Sequence, residues 1–274
     1  MKDYFLLSRP YTLVEIVLLG LLANVIATKK LIWNVNLLMD IAIFLCFWVS
    51  FVYFTEIAHR ETNKRGEIPI YVPLILFLIG AIIVALRNLW SLLFIIIAVI
   101  ILPLYFLKGR SQYVGPASFL VRGIFPIIGI LTIISLYNIP IVYTLKKYWQ
   151  IFITIFLLTS SRNLIGDIRD YKSDKYSFPR KYGKKISFLI SGTFLVLSGV
   201  IINDILVIFP LFLLFAIVLF HRNAFFIHRI YVLTSIFFLM NYIMLLVQIP
   251  PILNDILFLG VILNFTYKHV PRAI

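Results

Sequence analysis

Charge is scarce in this chain of 274 residues: Asp, Glu, Lys and Arg make up 13% of it, whereas hydrophobic residues make up 62%. A soluble domain is about one-quarter charged, and it could not bury this much Leu, Ile and Phe in a single core. The composition therefore excludes a soluble globular domain, a coiled coil and a disordered chain. It predicts an all-α polytopic membrane protein.

Cysteine and acidic residues are also rare. The single cysteine, Cys46, excludes an internal disulfide and a Cys-based zinc site, and we interpret it as a small packing residue. Eleven Asp and Glu residues face 25 Lys and Arg residues, which gives a net charge of +14. In a membrane protein this excess indicates cytoplasmic loops, anionic lipid headgroups and an anionic substrate, with no nucleic-acid partner.

Long hydrophobic runs occupy most of the chain. A helix needs about 17–25 apolar residues to cross a bilayer, so nine runs qualify and the last is borderline. Such runs exclude the alternating strands of a membrane barrel. We expect one transmembrane domain over residues 1–274 with nine or ten helices, and we expect the first run to be a retained helix. The runs lie at 11–28, 37–58, 70–86, 89–107, 117–137, 148–166, 186–203, 205–220, 229–248 and 252–267.

The basic residues predict the orientation of the helices. If the N-terminus is cytoplasmic, sixteen loop Lys and Arg residues lie on the cytoplasmic side, and five lie on the other side. Positive residues favour the cytoplasm, so the N-terminus and the Asp-rich loops are predicted to face inward. The five on the opposite side are Lys29, Lys30, Arg87, Lys146 and Lys147.

Three of the few carboxylates, Asp167, Asp170 and Asp174, stand at the end of the sixth run. Their spacing of i, i+3 and i+7 predicts one helical face, where they would repel one another without a counter-charge. Nearby Arg169, Lys172 and Lys175 would make this a solvated ion-pair network. Mg²⁺ held with a diphosphate is the alternative, because carboxylates and phosphates are its usual ligands.

The stretch from Arg162 to Gly183 resembles the second Asp-rich motif of the UbiA superfamily of intramembrane prenyltransferases. Arg162 and the three aspartates match that motif, Asn163 replaces its Glu, and Ser177-Phe178-Pro179 resembles its T-L-P tail. Arg9-Pro10-Tyr11-Thr12 resembles the entry to the first helix of the family. The resemblance implies a UbiA-like bundle around a central cavity.

The first Asp-rich motif of the family is degenerate in this chain. At the matching offsets stand Thr55, Glu56, His59 and Asn63, so only Glu56 keeps a carboxylate. His59 is a poor ligand for Mg²⁺, because that ion prefers oxygen. The first motif therefore lacks most of the carboxylates that a site for two Mg²⁺ ions would need.

The resemblance implies Mg²⁺-dependent transfer of an isoprenoid from a prenyl diphosphate to a lipid or aromatic acceptor in the bilayer. Asp167, Asp170 and Asp174 would be catalytic and would hold the metal with Glu56. The same resemblance implies diphosphate contacts from Tyr105, Lys108, Arg110, Arg162 and Lys172.

Two questions stay open at this level. The intact second motif favours the enzyme, whereas the degenerate first motif favours the alternative, a catalytically silent protein of this fold that serves as a structural, assembly or lipid-binding subunit of a membrane complex. The buried acids Glu15 and Asp40 could each pair with Arg122 or orient a substrate.

Overall fold

The structure, a computed structural model, describes residues 12–58, 69–106, 111–172, 175–220 and 223–269. These residues form ten long α-helices, one short α-helix and two single-turn 3₁₀ helices, and they contain no strand. The long helices are α1 (Leu13–Thr28), α2 (Val35–Ala58), α3 (Tyr71–Arg87), α4 (Leu92–Phe106), α5 (Ser118–Leu136), α6 (Ile141–Arg169), α7 (Lys184–Ile202), α8 (Ile205–Phe220), α9 (Ala224–Leu246) and α10 (Ile252–His269).

Each predicted hydrophobic run corresponds to one long helix, and the protein is an integral membrane protein. Among the described residues, six helices are long and apolar enough to cross a bilayer, and four apolar helices are shorter. The choice between nine and ten spans stays a prediction. Helix α6 begins at Ile141, seven residues before the predicted run, and is interrupted at Tyr148, where φ is −118° and ψ is 22°.

Asn24 near the end of α1, Arg87 at the end of α3 and Tyr137 after α5 all contact Asp40 near the start of α2, so α2 finishes at the other end of the bundle. Helix α4 also finishes there, because Tyr105 near its end contacts Arg122 near the start of α5. Helix α6 finishes there too, because Tyr148 near its start contacts Lys29 after α1, and we call this end of the bundle the motif end.

Helices α1 to α5 form one ring, and α6 to α9 form a second ring beside it. Helix α1 joins the two rings, because it contacts α2, α5 and α9. Helix α10 packs outside, against α8 and α9.

Small and hydroxyl-bearing residues join the second ring to the first and hold its own helices together. A Cβ on Gly123 of α5 would lie 2.9 Å from the Phe156 carbonyl oxygen of α6 and closer still to Ser160 Oγ, so only glycine permits this close crossing between the rings. Ser161 Oγ lies 2.7 Å from Ser191 Oγ and 2.6 Å from Tyr231 Oη, which links α6, α7 and α9. These polar contacts hold the helices together where lipid removes the hydrophobic driving force.

The first ring is sealed at the end opposite the motif end. Asp40 of α2 is fully buried and ion-paired with Arg87 of α3. It also accepts hydrogen bonds from Asn24 Nδ2 of α1 and from Tyr137 Oη, both at 2.7 Å. Burial raises the pKa of Tyr137, which follows α5, to about 12, so its phenol stays protonated and donates. We call these four residues the Asp40 seal.

Candidate functional site

The Asp-rich segment begins on the last turn of α6. Asp167 is buried within the helix, and Asp170 is the residue that ends it. Because α6 ends at Arg169, the structure describes only the first two aspartates of the motif, and the predicted common face of all three stays a prediction. Asp174 itself lies outside the described residues.

Asp170 has a basic partner next to it in the chain. Arg169 Nε donates to Asp170 Oδ1 at 2.8 Å, and its Nη2 donates to the other carboxylate oxygen. The predicted ion-pair arrangement is therefore present at this residue. Lys172 is exposed, and its backbone carbonyl accepts from Arg180 Nη2 at 3.2 Å.

Arg162 is buried in α6 about two turns before the helix ends. Its Nη1 donates to Glu15 Oε2 of α1, and this ion pair joins the two rings of the bundle. Glu15 therefore pairs with Arg162, and Asp40 pairs with Arg87. Neither acid forms the ion pair with Arg122 that the sequence leaves open.

The segment that follows the aspartates is anchored to α5. A short helix, Phe178–Tyr182, packs the ring of Phe178 against Phe119 with centroids 5.4 Å apart. Gly183 ends this helix with φ 91° and ψ 155°, a conformation essentially restricted to glycine. The loop therefore has a defined position. Arg180 and Lys184 both lie over the Tyr171 ring, 4.6 and 4.5 Å from its centroid, which adds positive charge beside the aspartates.

The degenerate first motif begins on the last turns of α2. Glu56 is buried there, and Thr55 Oγ1 donates to the Phe51 carbonyl at 2.8 Å. The Thr55 hydroxyl therefore donates its hydrogen bond within α2. His59, Asn63, Lys108 and Arg110 lie outside the described residues, so their roles stay predictions.

A buried arginine that the sequence did not assign to the site lies on α5. Arg122 is only 8% exposed, and its Nη1 donates to Tyr105 Oη at 2.7 Å. Its guanidinium also lies 5.5 Å from the ring centroids of Trp48 and Phe51. An arginine inside a hydrophobic run is costly and usually serves a cavity or a partner, which is the signal that could have identified it.

His228 of α9 is a second residue that sequence reasoning does not assign to the site. Its ring lies 3.6 Å from the position that a Cβ on Gly166 would occupy, and its Nδ1 lies 3.5 Å from Arg169 Nη1. His228 thus contacts the turn of α6 that carries Asp167. The residues around His228 in the sequence indicate only a position at the membrane interface. They do not reveal its contact with Arg169, because Arg169 is 59 residues away in the chain.

The first ring encloses an apolar cavity of about 480 Å³. Along α2 the cavity extends from Ile43, one turn from the Asp40 seal, to Ile57 at the motif end. Two of its lining residues carry hydroxyls, and both hydroxyls donate to backbone carbonyls at 2.8 Å: Ser50 to Pro73 and Thr132 to Ile128. The wall thus suits a hydrocarbon chain. Trp48 and Phe51, which contact Arg122, belong to this wall.

The carboxylates at the motif end are chemically suited to Mg²⁺. Glu56, Asp167 and Asp170 offer the hard oxygen ligands that this ion prefers. Among the described residues, no group of three or more His, Cys, Asp or Glu side chains could hold a metal ion. A complete site would therefore require residues outside the described ranges, such as Asp174, or phosphate oxygens.

Together the fold and the site define a class of protein: a helical membrane bundle with an apolar cavity that leads towards buried carboxylates and basic residues. Comparison with solved structures finds the same fold in a digeranylgeranylglyceryl phosphate synthase, a UbiA-superfamily intramembrane prenyltransferase. The TM-score is 0.63 at 18% identity, over 90% of this chain and 99% of that chain. The predicted UbiA-like fold is confirmed. No protein-family model matches the sequence, and no curated protein matches it.

Proposed function

We propose that the protein is a UbiA-like intramembrane prenyltransferase, which transfers an isoprenoid from a prenyl diphosphate to a membrane-soluble acceptor with the help of Mg²⁺. The observation that carries the proposal is the apolar cavity of the first ring, because it extends from near the Asp40 seal to the motif end and Arg122 contacts two residues of its wall, Trp48 and Phe51. An isoprenoid tail matches the cavity, and a diphosphate matches the charged end.

In this proposal the basic residues bind the diphosphate. Arg122 is held by Tyr105, and Lys172 is exposed beside the aspartates. Lys108 and Arg110 are assigned to the same role by the family resemblance. Arg162 already pairs with Glu15, so it would contact the diphosphate only while sharing its charge with that acid.

Asp167, Asp170 and Asp174, with Glu56, would hold Mg²⁺. When bound, the metal neutralises the charge that develops on the departing diphosphate. The C–O bond breaks with its electron pair on the diphosphate, and the remaining allylic cation is attacked by the acceptor, which loses a proton. Phenylalanine rings of the cavity wall, such as Phe54 and Phe125, can stabilise the cation through their faces.

The first experiment measures binding of a radiolabelled prenyl diphosphate with and without Mg²⁺. Asp170→Ala and Asp174→Ala should abolish the Mg²⁺-dependent binding while the melting temperature changes little, because lost repulsion offsets lost pairing. Asp204→Ser is the matched control. Asp204 lies at the opposite end and caps α8 by accepting from the Leu206 amide at 3.1 Å, and serine retains a capping oxygen. If both alanine variants bound the prenyl diphosphate normally, the aspartates would form only an ion-pair network and would not hold Mg²⁺.

A second candidate function is supported by the degenerate first motif, in which Glu56 is the only remaining carboxylate. It is a silent subunit of a membrane complex that binds prenyl lipids without transferring them. Turnover with a panel of aromatic, glycerol ether lipid and porphyrin acceptors separates the two. Product formation by the wild type would exclude the silent subunit, whereas Mg²⁺-dependent binding without any product would favour it.

A further inference from the structure

A buried polar cluster joins α9 to α10 at the end opposite the motif end. Its members are Asn241 of α9 and the neighbouring Asn254 and Asp255 of α10, which are 0%, 3% and 7% exposed. Helix α9 begins at the motif end, where His228 contacts Arg169, so Asn241 lies towards the other end. We call these three residues the α10 cluster, and the proposed function does not use them.

The amide hydrogens of both asparagines are fully used. Asn241 Nδ2 donates to Asp255 Oδ1 at 2.7 Å and to the Leu206 carbonyl of α8 at 2.8 Å. Asn254 Nδ2 donates to Asn241 Oδ1 and, at 3.2 Å, to the Phe237 carbonyl of α9. A side-chain amide has two N–H donors, so neither asparagine has a donor left. These four hydrogen bonds also fix the orientation of both amides.

Two oxygen atoms of the α10 cluster remain, Asp255 Oδ2 and Asn254 Oδ1. Both atoms are buried, and among the described residues no group donates a hydrogen bond to either of them. An amide oxygen and an ionised carboxylate can only accept. Burying them without a partner is costly, so the partner that completes the cluster must carry positive charge.

The surroundings of Asp255 favour its ionised form. It lies in the first turn of α10, where the positive end of the helix dipole stabilises a carboxylate, and it accepts from Asn241. Asp204 adds a second negative charge nearby, although its own Oδ1 already accepts from the Leu206 and Val207 amides. Burial opposes the charge on Asp255 unless a cation accompanies it.

We propose that the α10 cluster is a binding site for a small monovalent cation, Na⁺, coordinated by Asp255 Oδ2 and Asn254 Oδ1. Carboxylate and carbonyl oxygens are the ligands that suit such an ion inside a membrane protein. One carboxylate balances one positive charge, whereas Ca²⁺ prefers more oxygen ligands and Mg²⁺ requires a full octahedral shell. The bound ion fixes the start of α10 against α9, and Asn241 extends the connection to α8.

The test measures the melting temperature of the purified full chain in detergent, in NaCl or in choline chloride at the same ionic strength. Na⁺ should raise the melting temperature by at least about 3 °C relative to choline, because an ion that binds only the folded protein stabilises it. Asp255→Asn should lose this shift. Its uncharged amide can donate to Asn254 Oδ1 in place of the ion, so the variant should melt near the temperature of the sodium-bound wild type.

Asp40→Asn is the matched control. Asp40 is also a buried acid at this end of the bundle, but the other three members of the Asp40 seal already occupy its oxygens. This variant should melt at a lower temperature than the wild type, because Arg87 loses its ionic partner. It should nevertheless keep the Na⁺ shift.

Direct binding gives a second measurement that needs no variant. Equilibrium dialysis with radioactive Na⁺ should find one ion per chain. If no ion bound, or if the wild type melted equally in NaCl and choline chloride, the site would be overturned and a proton would be the partner of Asp255. A Na⁺ shift that persisted in Asp255→Asn, or that Asp40→Asn also lost, would overturn it too, because the effect would then not depend on the α10 cluster.

Discussion

Glu15 and Arg162 form an ion pair inside the bundle. Both side chains are nearly inaccessible, and they join α1 to α6 across the boundary between the two rings. Burial removes water from each charge, and the attraction of the partner offsets the free-energy cost of that desolvation. The pair therefore also positions the turn of α6 that precedes Asp167.

We expect Glu15→Gln and Arg162→Met each to lower the free energy of unfolding by about 3–5 kcal/mol, since each leaves one buried charge without its partner. The double variant removes both charges, so its loss should be far smaller than the sum of the two single losses. Denaturant unfolding of all four proteins in detergent measures this coupling. Strictly additive losses would show that the two charges act independently.

Among the helices and loops, the short helix after the Asp-rich segment depends most on one backbone angle. Gly183 connects that helix to α7, with its amide donating to the Pro179 carbonyl at 2.9 Å. Its carbonyl accepts from the Ser187 hydroxyl at 2.9 Å in the first turn of α7. The φ of 91° permits both contacts at once.

Gly183→Ala should lower the free energy of unfolding by about 1–3 kcal/mol, the usual cost of such a conformation for a residue with a Cβ. Gly260→Ala is its control, because Gly260 lies on exposed α10 with open space where a Cβ would stand, and this variant should gain up to about 1 kcal/mol. Thermal melting of both variants measures the difference. If Gly183→Ala melted at the same temperature as Gly260→Ala, the loop at residue 183 would accept a Cβ without strain, and the prediction would be wrong.

The same elements show how far sequence reasoning reaches. The ten hydrophobic runs predicted the ten long helices, because hydropathy depends on consecutive residues. The helix bounds were less accurate. Helix α6 extends back to Ile141 through a polar first segment, and it ends at Arg169, before Asp174, although the spacing of the aspartates predicts a longer helix. Spacing predicts a common face only as long as the helix continues.

For the whole molecule, the distribution of charge predicts sidedness. Residues 59–66, 108–116 and 169–185 should face the cytoplasm, because the loops at that end carry sixteen Lys and Arg residues against five at the other. Single cysteines placed in these loops of a Cys46→Ala background should react with an impermeant maleimide only after the membrane is opened. If cysteines in 169–185 reacted while the membrane was still intact, the predicted orientation would be wrong.

The sequence by itself determined that this is an integral membrane protein of helical fold with an Asp-rich segment at one helix end. Hydropathy and local motif spacing suffice for those statements, since both are properties of neighbouring residues. Only the tertiary structure decided which charges meet. Glu15 and Arg162 are 147 residues apart, and Arg122 reaches Tyr105 from another helix. Desolvation forces each buried charge to find a partner, but packing selects the partner, and no local pattern contains that information.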